Sequence, residues 1–437
     1  MDNRQGKGTK GRMRVNIKSG LDLRVGPVPE RRIAGTKPAA TAALLGRDFP
    51  GLKFEVLVDQ GASVRAGDAL LRDRHRPEIV FTSPTSGTVA SISRGPRRAL
   101  LSLLLVGDGK DDAVSFQVPA TLNRDGVRRL MLASGLWTAM RTRPFGHLPD
   151  SAGEPRALLI TAVDTEPLAP DPALVIAEYA DEFSMGVDAL AHITEAPVYV
   201  CQGPDVRLPV NASGRLHMVE FSGPHPAGLP GTHIQALCPI GLDTGEVWHI
   251  GYQEAIALGH LIATGKPWLQ RVVSLAGPAV AHPRLLTVPL GAALDDLTAG
   301  ELHNGAARVI SGSPLSGHVA FGAECYLGRR HNQITVLPEA SANRRSRWRR
   351  SIFDTALGGT PGPLMPTGDL ERVAPAGILP VPLLRALLVG DVERARALGA
   401  LELVEEDLAL LSYVCPSKSD YGSLLRDVLD QLHREAP

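Results

Sequence analysis

The alternation of apolar and polar positions changes period along the chain and divides it into distinct stretches. From Gly20 to about Gly107, short β-prone runs (Phe54 to Val58, Gly61 to Leu70, Ile79 to Ile92) are separated by glycine turns, which predicts a small β-domain over 14–117. Residues 118–257 alternate helix and strand. Ala157 to Val163 (ALLITAV) is a continuous apolar run of the kind buried on both faces of a parallel sheet. Asp171-Pro172 offers an N-cap and a first-turn proline to one helix carrying Leu174, Val175, Tyr179 and Phe183. Pro197 to Cys201 and His217 to Phe221 supply further strands, and Tyr252 to Thr264 is an amphipathic helix stopped by Gly265. Over 258–338, Val272, Val273 and Leu275 run to Gly277-Pro278, and Leu285 to Val288 forms a second strand. Leu294 and Leu297 mark a short helix, and Val309-Ile310 opens a strand ending at the turn Gly312 to Gly317. Residues 339–368, rich in Ser, Arg, Gly and Pro, read as a linker. From 369 to 437 leucines recur at helical spacing (Leu383, Leu384, Leu387, Leu388, then Leu403 to Leu411 and Leu424 to Leu432), and the polar, basic residues 1–13 read as a disordered tail.

Composition narrows the function classes. Lys plus Arg equals Asp plus Glu at 46 each, so no global field draws in nucleic acid, and 4% aromatics argues against base-stacking platforms. Cys201, Cys238, Cys325 and Cys415 are scattered with no Cys-x-x-Cys, which fits a reducing compartment and excludes a zinc knuckle from one motif; no metal site is expected. The longest apolar run, Ala99 to Val106, falls short of the roughly 20 residues that span a bilayer. No signal-peptide pattern opens the chain. These features lead us to expect a cytoplasmic protein, or one peripheral on a cytoplasmic membrane face.

Each stretch then resembles a known fold. The Gly61-x-x-Val64-x-x-Gly67-Asp68 turn and the Ser83-Pro84-x-Ser86-Gly87-x-Val89 strand resemble a biotinyl/lipoyl-type barrel-sandwich hybrid. Carriers of that type acylate a hairpin lysine. Here the hairpin is Arg72-Asp73-Arg74-His75-Arg76-Pro77, and a guanidinium is a poor nucleophile, so the carrier role is rejected. Residues 118–257 form a Rossmann-like β-α-β domain, and 258–338 resembles the soluble-ligand-binding β-grasp module of redox subunits. In the helical stretch, counting back from Cys415-Pro416 by the ferredoxin spacing C-x₂-C-x₂-C-x₃-C-P lands on Leu411, Leu408 and Glu405. Two leucines and a carboxylate cannot hold an iron–sulfur cluster, so this is a degenerate cluster loop. The whole reads as an α+β multidomain chain.

That domain order resembles the flavin-binding subunit of respiratory complex I and the C subunit of the Rnf pump. Asp164, Glu166 and Pro167 match an acidic element of the former, whereas its glycine-rich phosphate loop is replaced by Ala133 to Ala139, with one glycine and a Trp. No G-x-G-x-x-G or Walker sequence substitutes. The strings SGLWTAMRTRPF (134–145), AVDTEPLAPDP (162–172), FSGPHPAGLPGTHI (221–234), RVISGSPLSG (308–317) and LELVEEDLALLSYVCPSKSDYG (401–422) are together similar to the A subunit of the Na+-translocating NADH:quinone reductase, in one register from about Val15 to Leu432. The resemblance implies a peripheral subunit of a membrane complex that passes electrons from NADH to quinone while exporting Na+. It implies no cofactor on this chain and no independent activity, with quinone at or near it and flavins, iron and NADH on partner subunits. Two rival readings are a stand-alone small-ligand-binding protein and a flavin-binding dehydrogenase subunit.

The candidate quinone or partner surface is Trp137, Arg141, Arg143 and Phe145, two cations among aromatics, with His225, His233 and His249 as hydrogen-bond donors to a carbonyl oxygen. Each histidine also reads as a structural one. Asp164 and Glu166 stand close enough in sequence to perturb one another. Arg344, Arg345, Arg347, Trp348, Arg349 and Arg350 form the one strong cationic cluster, suited to anionic lipid head groups or an acidic partner. Replacing its five arginines with serine is expected to weaken membrane or partner association in a low-salt sedimentation assay. Unchanged association would make the segment merely solvated.

Overall fold

The computed structural model describes residues 6–7, 13–210, 214–241, 244–339 and 363–435. The arginine cluster 344–350 lies outside the described residues.

The first domain is a barrel-sandwich of two small antiparallel sheets. One orders Thr41–Leu45, Leu100–Gly107, Gly87–Arg94 and Ser63–Val64, the other Phe54–Val56, Ala69–Asp73 and Val80–Thr82. Alternate residues of these strands (Leu70, Phe81, Val89, Leu103, Leu105) point into a common core, as period-2 patterning requires.

The second domain is a seven-stranded sheet ordered Gly6–Lys7, Met13–Asn16, Leu216–Ser222, Val198–Gln202, Ala157–Ala162, Val247–Gly251 and Arg141–Arg143. Its central strands are parallel and its two ends antiparallel. Leu158, Leu159 and Ile160 are wholly buried because both faces are covered. The structure departs from the sequence pattern here in two ways. Gly6–Lys7, inside the tail expected to be disordered, pairs with Met13 and Arg14. The single helix expected after Asp171 is two, Pro172–Glu178 and Ala180–His192, broken where Tyr179 leaves helical geometry. Asp171 does cap the first, its side chain accepting from the Ala173 N–H at 3.0 Å.

The third domain is the β-grasp, a six-stranded sheet ordered His318–Val319, Ala307–Ser311, Gln333–Pro338, Gln270–Ala276, Arg284–Pro289 and Ile33–Thr36, with the short helix Leu294–Thr298 on it. The N-terminal segment thus contributes Met13–Asn16 to the second sheet and Ile33–Thr36 to the third before entering its own domain. A helical domain follows: Gly368–Val373, Pro380–Val389, Val392–Ala397, Ala409–Val414 and Tyr421–Glu435, around a leucine core.

Helices Ala180–His192 and Tyr252–Thr264 cross with their backbones in contact. A Cβ on Gly186 would lie 1.8 Å from the Ala255 carbonyl oxygen, and one on Gly259 would lie 1.8 Å from that of Glu182. Backbone cannot yield as a flexible side chain does. Gly186→Ala should therefore destabilise the chain by about 1–3 kcal/mol despite alanine's better helix propensity, read as a lowered thermal midpoint.

Candidate functional site

The second, third and helical domains meet around a cavity of about 650 Å³, which also reaches Arg47, Asp48 and Pro50 of the barrel-sandwich domain. Arg141 and Arg143 come from the edge strand of the second domain, so alternation sends both side chains the same way, while Asp164 and Glu166 follow its central strand. Arg330, His331 and Ser313 come from β-grasp loops, and Glu405, Glu406 and Arg426 from the helical domain.

Arg143 is fully buried. One guanidinium nitrogen stands 3.0 Å from His249 Nε2, and the other faces Glu406 at 3.4 Å and Asp407 at 3.5 Å. Burial, and then the charge of Arg143, hold His249 well below the usual histidine range, so its neutral imidazole can accept from Arg143. Arg141, also buried, donates only to backbone carbonyls, those of Asp48, Thr138 and Met140, and its cation lies 5.3 Å from the Phe49 ring centroid.

Among the other residues that line the cavity, Asp164 is pushed up to about 8 by burial and by the charge of Glu166. Burial also raises Glu406 and Asp407 against the pull of Arg143. Glu166 accepts from the hydroxyls of Ser313 and Ser316, which fastens the β-grasp turn to the second domain. The cavity is thus lined both by guanidinium groups and by the carboxyls of Asp164 and Glu406, which burial displaces towards the protonated form.

Three family descriptions match the chain in order: NqrA N-terminal barrel-sandwich hybrid domain over 15–108, NqrA second alpha/beta domain over 122–267 and NQRA C-terminal domain over 272–321. The A subunit of the Na(+)-translocating NADH-quinone reductase of Pseudomonas aeruginosa (strain UCBPP-PA14) is 43% identical over 446 residues, spanning 96% of this chain and all of the relative. That of Serratia proteamaculans (strain 568) is 44% identical over 448 residues, with the same coverage of both chains. The chain belongs to the NqrA family, the A subunits of Na+-translocating NADH-quinone reductases. Among solved structures, the NAD+-reducing [NiFe]-hydrogenase in the air-oxidized state aligns over 50% of this chain and 47% of that one, at 15% identity and a TM-score of 0.37.

Within this NqrA fold the sequence-predicted residues separate. Arg141, Arg143 and His249 converge on the cavity. Trp137 does not form a surface: it is wholly buried, its Nε1 donates to the Pro149 carbonyl at 3.0 Å, and it packs edge-on against Trp248 at 5.7 Å. Phe145 leans on His147 and His433 and packs against the helical domain. His225, also expected as a surface donor, is buried; its Nδ1 lies 3.2 Å from the Thr165 hydroxyl. His233 is buried with Nε2 at 3.0 Å from the Ala227 carbonyl oxygen, and burial holds it down to about 3. Neither histidine lines the cavity, although His225 Nε2 stands 3.9 Å from the cavity-lining Glu166.

The two stretches read from the sequence as altered cofactor loops are packed with side chains. In the stretch corresponding to the flavin phosphate loop, a Cβ on Gly135 would meet Thr82 of the first domain at 2.8 Å, and the Trp137 side chain fills the core beneath. In the degenerate cluster loop, Leu408 and Leu411 are core residues and Glu405 pairs with Arg426 at 2.6 and 2.8 Å. The buried Cys415 Sγ lies 3.1 Å from the Ser417 hydroxyl and 3.2 Å from that of Tyr421. Among the described residues no group of three or more His, Cys, Asp or Glu could hold a metal ion. Sequence reasoning missed Arg330, His331, Glu406 and Asp48, although Arg329-Arg330-His331 and Glu405-Glu406-Asp407 are visible runs.

Asp164 gives a pH prediction. Its folded pKa of about 8 exceeds the ordinary carboxylate value, so between about 4 and 8 the folded state binds the extra proton and stability falls as pH rises. Asp164→Asn removes that loss while keeping an acceptor for the Glu166 N–H, now 2.8 Å away. The variant should melt higher than the parent at pH 8, with the difference vanishing towards pH 4–5 in thermal scans.

Proposed function

We propose that this subunit sits peripherally on the cytoplasmic face of the reductase complex and that its interdomain cavity receives a quinone head group. In this reading the flavins, the iron and the NADH site belong to partner subunits. No described helix is long and apolar enough to cross a membrane, so attachment would go through partner subunits or a cationic surface.

The observation that carries the quinone reading is the pairing of donors in the cavity. A quinone is neutral, with two carbonyl oxygens that need donors. The buried Arg143 guanidinium offers one and the protonated carboxyl of Asp164 another. Walls ionised with one sign would hold water in competition with such a ring; a guanidinium and a protonated acid in one cavity offer it donors instead.

The test is a gentle-detergent isolation of the complex followed by titration with a short-chain quinone, read through the fluorescence of Trp137 and Trp248. Co-purification of integral-membrane and flavin-carrying partners with NADH:quinone activity is expected, and Arg143→Met should weaken quinone binding about tenfold. Arg143→Lys, which keeps a charge, controls for folding. Equal affinity in parent and Arg143→Met protein would place the quinone elsewhere in the complex, and a partner-free chain would sink the docking.

A further inference from the structure

The cationic wall of the cavity holds more positive charge than its neighbours neutralise. Arg141 is 2% exposed and among the described residues makes no ion pair: its hydrogen bonds go to neutral carbonyls, its Nε has none, and the charges of Asp48 and Glu405 act on it without contact. Burial and then the charge of Arg330 both depress it. Arg330 lines the same cavity, and among the described residues it makes no hydrogen bond or ion pair. Arg47 joins them, 3.4 Å from Glu324. The carboxylate that favours the Arg141 charge most is Asp48, but one of its oxygens is already taken by the Arg329 N–H at 2.8 Å, and burial raises its pKa. Asp164 and Glu406, which also line the cavity, are displaced towards the neutral form, so they compensate weakly. Taking a cation out of water without a partner is costly unless something else supplies the negative charge. Guanidinium pairs are matched in shape and charge by groups with two or more oxygens.

We propose that Arg330 and Arg141, with Arg47 at the rim, form a binding site for a small oxyanion, the carboxylate or phosphate group of a soluble ligand. The anion would sit between the two guanidinium groups and relieve their mutual repulsion. A cavity of this size has room for more than the anion alone, so the group is read as one end of a larger molecule. The site uses a charge that a quinone lacks, and none of its three arginines is the Arg143 on which the quinone reading rests.

The test uses the full chain at pH 6.5, melted in chloride, inorganic phosphate or citrate at matched ionic strength, with affinities from calorimetric titration of phosphate and citrate. Phosphate, citrate or both should raise the midpoint above the chloride value, and which one does so identifies the anion class. Arg330→Gln should bind the effective anion about tenfold more weakly. In chloride alone the same variant should melt higher than the parent, because it removes cation–cation repulsion, while Arg330→Lys should restore anion binding in part. Equal anion responses in parent and Arg330→Gln protein, or no response beyond chloride in the parent, would overturn the proposal. These melts and titrations contain no quinone, so their outcome does not depend on where the quinone binds.

Discussion

One chain of buried charges holds the first three domains together. Arg271 of the β-grasp sheet donates to Glu254 of the helix Tyr252–Thr264, and Arg329 stands 3.9 Å from the same carboxylate. The backbone of Arg329 then donates to Asp48 of the barrel-sandwich domain, whose carbonyl accepts from Arg141 of the second sheet. Glu254 stays ionised although burial opposes it, because Arg271 and Arg329 outweigh that penalty. Such a set is poorly replaceable: removing one partner strands a buried charge, typically at about 3–5 kcal/mol. The cavity exists because these groups fix the three domains at a set separation with polar side chains between them. Arg143, reaching Glu406 and Asp407, adds the fourth.

This arrangement explains how the fold can lack recognisable phosphate and cluster loops and still keep a pocket. Leu408 and Leu411 turned the helical domain's inner face into ordinary core, and Trp137 did the same beneath the edge strand. What remains between the domains is charge and hydrogen-bonding capacity.

Local patterning made most of the architecture legible. The ALLITAV run, the Asp171-Pro172 cap and the Gly277-Pro278 turn each declare their element through short-range chemistry, and the structure has all three. The break at Tyr179 was hidden because Tyr179 and Phe183 keep helical spacing across it. The destination of Ile33–Thr36 was hidden because its partner strand lies some 250 residues away. At the site, Arg141 and Arg143 could be singled out from one strand, but Arg330, Glu406 and Asp48 come from three different domains, and no spacing rule connects them. Trp137 and His233 misled for the converse reason: amphipathic side chains on short elements give no sign of which face they turn to solvent.

The threading of the N-terminal segment bears on how the polypeptide reaches this state. Met13–Asn16 has only the two-residue strand Gly6–Lys7 beside it until Leu216–Ser222 has been made, and Ile33–Thr36 waits for Arg284–Pro289. These two strands thus leave the ribosome well before the strands they pair with, and until then they expose unpaired edges to any chain nearby. It also means that neither of these two sheets is complete when cut out at its own domain boundaries: an excised second domain would lose a parallel strand, and an excised β-grasp an edge.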